Sequence, residues 1–155
     1  LPLKLLGFEP ITACPSYRES AQQFVNGTKY RYEKLCLRHK FNFARSSSTK
    51  YRGGKLYNDG FGTHASSETV FNIEGKYKTF KMGYGLDEES LCSDGVQLQI
   101  IADGNVIHDS GRFALGNLKI AEVSVENVKT LIIKTNSYED MDCDHVDIIN
   151  PALIP

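Results

Sequence analysis

The 155-residue sequence has no tryptophan, only two methionines and five prolines. Any aromatic face offered to a ligand must therefore come from its eight tyrosines or eight phenylalanines. Long apolar runs are missing as well. Nothing approaches the roughly 18 residues of a membrane-spanning helix, so no membrane insertion is expected. The opening Leu1-Pro2-Leu3-Lys4-Leu5-Leu6 is too short and wrongly flanked for an intact signal peptide, and reads as a mature N-terminus after cleavage or an artificial boundary. An excess of one charge sign is also lacking: 18 Lys and Arg face 19 Asp and Glu, for a formal net charge of -1. Without a long-range field or a lysine run, nucleic acid is not an expected partner. The chain has no G-x-S-x-G elbow, H-E-x-x-H helix or phosphate-cradling glycine loop. Carboxylate pairs are present, as any chain with 19 acids would provide by chance. Binding, not catalysis, is the expectation.

What remains is an ordinary globular balance, 41% hydrophobic and 24% charged. The length suits one domain able to bury close to 70% of its unfolded surface. Cys14, Cys36, Cys92 and Cys143 contain no C-x-x-C pair, which argues against a zinc knuckle or a redox motif, and four cysteines allow three disulfide pairings. Asn26-Gly27-Thr28 is an N-glycosylation acceptor. An even number of cysteines together with a sequon points to a secreted or cell-surface protein, with reduced core cysteines and a chance sequon as the plainer alternative.

Residues 1–50 carry few signals: Glu19 to Phe24 reads as a helical turn and Tyr30-Arg31-Tyr32 as a short strand. From residue 55 onward the pattern is β. Lys78, Phe80, Met82 and Tyr84 alternate with Tyr77, Thr79, Lys81 and Gly83, and Val96, Leu98 and Ile100 alternate with Gln97, Gln99 and Ile101. Asp103-Gly104 tolerates the positive φ values of a type I′ turn and predicts a tight hairpin. Further strands are expected over residues 69–73, 120–125, 131–135 and 146–149, with Pro151 ending the last. Short strands at this spacing predict an all-β, antiparallel β-sandwich or barrel.

Several segments are then familiar. Tyr57-Asn58-Asp59-Gly60-Phe61-Gly62-Thr63-His64-Ala65-Ser66-Ser67 resembles the Y-x-x-G-[LIF]-G-x-H-A-x-S signature of NPCBM domains, which are related to CBM51 carbohydrate-binding modules. Residues 71–80 resemble that family's strand–turn–strand. Gly85-Leu86-Asp87-Glu88 is similar to its G-V-D-D loop, residues 103–110 to D-G-x-x-[LV]-x-x-S, and Asp144-His145-Val146-Asp147 to D-H-A-D. The resemblance covers residues 51–153 and leaves residues 1–50 as an N-terminal segment packed on the sandwich. It implies a galactose-binding-like jelly roll of about eight to ten strands, a non-catalytic lectin-like module for terminal sugars, and in some members a structural calcium ion. It also implies strand pairing that would join Cys92 to Cys143, leaving Cys14 and Cys36 to pin the N-terminal segment. One position departs from the pattern: family members commonly place tryptophan after D-H-A-D, and this chain has Ile148.

On that frame three loops are expected to share one end of the sandwich and form a shallow galactose site. Tyr57, Tyr84 or Tyr138 would stack on the sugar, while His64, Asp87, Glu88, Asp144 and His145 would fix its hydroxyls. His64 has a second reading, in which it holds the shape of a glycine-rich turn. The acidic loop Glu139, Asp140, Asp142, Asp144, Asp147 is dense in carboxylates, but its spacing does not match an EF-hand. Asp87, Asp142 and Asp144 are the candidate calcium ligands, against the alternative of a solvated acidic loop. A glycan or glycoprotein is the expected partner. The missing tryptophan and the extra N-terminal residues also fit a protein-interaction module built on the same fold.

Overall fold

The computed structural model describes residues 21–25, 28–31, 41–42, 56–57, 60–87 and 90–155. Its strands are β1 (Ala21–Val25), β2 (Thr28–Arg31), β3 (Phe41–Asn42), β4 (Leu56–Tyr57), β5 (Gly60–His64), β6 (Ser67–Asn72), β7 (Thr79–Leu86), β8 (Val96–Ala102), β9 (Asn105–Phe113), β10 (Lys119–Ser124), β11 (Thr130–Ser137) and β12 (His145–Ile154). No helix occurs among the described residues. Ten strands form two sheets in the orders β2-β1-β6-β11-β8-β9 and β10-β7-β12-β5, and β3 and β4 pair separately. All pairings are antiparallel. The expected β-sandwich is therefore the fold.

Period-2 patterning explains how the layers close. Val96, Leu98, Ile100 and Ala102 are buried along β8 while the residues between them are only partly so. Leu131 and Ile133 of β11 and Phe71 of β6 extend the same inner face. From the other sheet Phe80, Met82, Tyr84 and Leu86 of β7 join Val146, Ile148 and Leu153 of β12 in one continuous core. Asp103 and Gly104 have φ values of 45° and 86° at the β8–β9 connection, as the hairpin expectation required.

Two local expectations need correction. The segment read as a helical turn overlaps β1, which pairs with both β2 and β6, so part of the N-terminal stretch extends the six-stranded sheet. Cross-strand pairing decides this where local propensity is weak. Pro151 does not end the last strand: β12 runs on to Ile154 through a register shift between Ile149 and Ala152, with Asn150 at φ 47°. A bulge accommodates a proline that cannot donate to the ladder. Cys14, Cys36, Asn26, Gly27, Glu88 and Glu89 lie outside the described residues, and so does the side chain of Tyr57.

Candidate functional site

Register alone brings four chain connections to one end. His64 pairs with His145, Leu86 with Val146, Ser67 with Thr135, Val96 with both Ser137 and Phe113, and Tyr84 with Lys119. The β5–β6, β7–β8, β9–β10 and β11–β12 connections therefore form a common tip.

The floor of this tip is made of small polar residues. Thr63 Oγ1 donates to Ser67 Oγ at 2.8 Å, and Ser67 Oγ lies 2.7 Å from Thr135 Oγ1, all three residues being buried. Ser66 Oγ accepts from the Ser137 amide at 3.0 Å. Ala65 has no exposed surface, its N–H donates to the Asp144 carbonyl at 2.9 Å, and its peptide bond to Ser66 is cis. The small residues around His64 thus serve packing between the sheets, and the histidine itself remains half-buried at the edge.

His64 and His145 stand side by side, ring centroids 4.9 Å apart and planes at 75°. Ser90 grips the His145 backbone from the β7–β8 connection: its hydroxyl donates to the His145 carbonyl at 3.1 Å and accepts from the His145 amide at 3.2 Å. The Asp87 amide reaches the same carbonyl at 2.9 Å. Cys92 and Cys143 form a disulfide, with Cα atoms 5.4 Å apart, that ties the β7–β8 connection to the β11–β12 connection.

The structure places several of the expected contact residues below the surface. Asp144 has no exposed surface, and its Oδ1 accepts from Ser93 Oγ at 2.5 Å, while Oδ2 has no hydrogen-bond partner among the described residues. Burial pushes its carboxyl above the usual carboxylate range, against the Ser93 hydrogen bond. Asp87 is only 3% exposed. Neither presents a carboxylate to solvent, so both support the tip from below. Tyr84 is buried in the core, with its hydroxyl 3.0 Å from His108 Nε2, and so is not a stacking surface. Asp142 is exposed, and among the described residues no three His, Cys, Asp or Glu side chains gather as metal donors. Asp87, Asp142 and Asp144 are therefore not gathered into one side-chain cluster.

Of the three tyrosines whose side chains are described, Tyr84 is buried, Tyr77 half-buried and Tyr138 exposed, at 39%. The Arg112 guanidinium sits 4.3 Å from its ring centroid. Arg112 in turn donates through Nε to the Asp94 carbonyl at 2.9 Å and pairs with Glu139 at 3.2 Å. The Glu139 amide donates to Asp94 Oδ2 at 3.0 Å. Arg112 escaped the sequence reading, because only the fold carries the end of β9 beside the β11–β12 connection. Ser90 and Ser93 were not singled out either, because only the fold brings their hydroxyls to the β11–β12 connection. The tip thus combines two half-exposed imidazoles, a propped aromatic ring and several fixed polar groups, which can orient hydroxyls and cover an apolar ring face.

Residues 38–154 match the family model described as the NPCBM/NEW2 domain. Among solved structures, the CBM51 of Clostridium perfringens GH95 in complex with methyl-galactose is 22% identical with a TM-score of 0.66, over 99% of this chain and 98% of that one. The tandem CBM51 modules of Sp3GH98, the family 98 glycoside hydrolase of Streptococcus pneumoniae SP3-BS71, are 20% identical with a TM-score of 0.65 over 92% of this chain. CBM51-2 and INT domains of Clostridium perfringens ZmpB are 20% identical with a TM-score of 0.63 over 92% of this chain. The chain spans 44% of the Streptococcus chain and 28% of the ZmpB chain. A comparison with curated protein sequences returns no match.

Proposed function

The chain belongs to the NPCBM/NEW2 domain family and has the fold of CBM51 carbohydrate-binding modules, and from that premise we propose that it is a non-catalytic module that holds a terminal galactose-type sugar at its tip. The observation that carries the reading is the adjacency of half-exposed His64 and His145 at the strand ends from which the tip connections spring. The imidazoles orient hydroxyls, and the Tyr138 ring covers the C–H face of the sugar. Asp87, Ser90 and Asp144 hold the loops in place. Galactose is favoured by the methyl-galactose bound to the GH95 module, which matches this chain from end to end. The module works outside the cell or at its surface, on a glycan or glycoprotein. No step is assigned to calcium.

Titration with methyl-galactose tests this. Binding is expected in the micromolar to millimolar range, equivalent to about 4–8 kcal/mol. Tyr138→Ala should weaken it by about tenfold, a loss of roughly 1–2 kcal/mol, without moving the unfolding temperature. A glycan array silent for wild-type protein overturns the sugar reading. A second reading has its own support: Leu91 and Met141, in the two disulfide-tied connections, are 62% and 37% exposed. These apolar side chains suit a protein partner at the same tip, and a silent array with a captured glycan-free protein would favour it.

A further inference from the structure

His64 Nδ1 lies 2.6 Å from the Ala65 carbonyl oxygen. A carbonyl oxygen only accepts, so the hydrogen in this contact is carried by the ring nitrogen. Turning the ring over would put a carbon there, and carbon-bound donors keep about 3.3 Å or more from oxygen. The contact therefore favours a proton on Nδ1. A neutral imidazole with Nδ1 protonated has a bare lone pair at Nε2. Among the described residues no hydrogen bond occupies Nε2. The ring of His145 packs against it, centroids 4.9 Å apart and planes at 75°.

We infer that His64 is the hydrogen-bond acceptor of the tip, a specificity-determining contact that selects a ligand group able to donate. The inference rests on the sugar-binding reading and adds to it the polarity of the contact. A sugar hydroxyl at this position gives its proton to Nε2 and must take any further hydrogen bond elsewhere. A group that only accepts places a second lone pair against the first and is rejected.

Two measurements test this. Long-range proton–nitrogen NMR of the ligand-free protein at neutral pH should show His64 protonated at Nδ1 and bare at Nε2. The reverse tautomer overturns the inference whether or not sugars bind. Methyl-galactose is then compared with its monodeoxy and monofluoro analogues, fluorine being unable to donate. At one hydroxyl position both replacements should weaken wild-type binding about tenfold and to the same degree, and His64→Ala should erase that preference. A fluoro analogue that binds as well as methyl-galactose at every position, or a penalty that persists in His64→Ala, overturns the inference. The expected tautomer in a protein that binds no galactoside overturns the sugar reading and, with it, the role given to Nε2.

Discussion

At Asp144 a carboxyl group with no exposed surface has one oxygen held by Ser93 and the other without a hydrogen bond among the described residues. Burial raises its pKa above the ordinary 3.8. A group whose pKa rises on folding contributes stability fully below its unfolded pKa and loses that contribution as pH climbs through the folded value. Asp144→Asn keeps an oxygen for the Ser93 hydroxyl and cannot ionise. It is expected to raise the unfolding temperature at pH 7 relative to that at pH 4 by about 2–4 °C, the shift that roughly 1 kcal/mol produces at this size. Thermal denaturation at the two pH values checks this; an unchanged difference would show that the ionised form is well tolerated. The sequence displayed Asp144 beside other acids and so suggested a surface cluster. Its burial depends on the turn at Cys143, with φ 60°, and on the β7–β8 connection folding over it, which no local pattern encodes. Tyr84 was more legible than its assignment as a sugar contact suggested, because alternation already placed it on the same side as Phe80 and Met82.

Between elements, a pH-sensitive contact joins β7 to β9 through Tyr84 and His108, ring centroids 5.7 Å apart. Burial raises the tyrosine pKa and lowers the histidine pKa, with Asp109 opposing the fall at His108. A histidine whose pKa falls on folding contributes stability that is intact above the ordinary 6.5 and is lost as pH drops toward the folded value. Denaturant midpoints should therefore decline between pH 7.5 and about 5.5, and His108→Gln should flatten that decline. An equal slope in both proteins would move the cause elsewhere. Strand identity was largely readable from residue 69 onward, where β-branched and apolar residues alternate. Register was not. The pairing of His64 with His145 joins distant strands, and it became visible only through a family signature that named both segments. The β1 strand was missed because its sequence, Ala-Gln-Gln-Phe-Val, gains its strand character from pairing with β2 and β6.

For the molecule as a whole, the two sheets are held by the apolar core, while the tip is fastened by hydroxyl contacts and by Cys92–Cys143. That disulfide spans 51 residues, and closing such a loop stabilises by about 4 kcal/mol on the chain-entropy model. The paired variant Cys92→Ser, Cys143→Ser should unfold at markedly lower denaturant and bind methyl-galactose more weakly, because the connections bearing Ser90 and Tyr138 lose their tether. Equal affinity in the variant would show that the strands position the tip unaided. The pairing of these cysteines followed from the family resemblance, since four widely spaced cysteines alone left three arrangements open.

The antiparallel ladders stop where the tip begins, at His64, Leu86, Phe113 and Ser137. The proposed recognition therefore begins at the last ladder pair, His64 with His145, and extends into stretches that carry no ladder, on whose exact wording the body of the protein does not depend. Such a scaffold can exchange its 138–142 stretch for another of similar length and keep its architecture. Changes in what is recognised can then accumulate in a handful of positions, leaving the two layers beneath untouched.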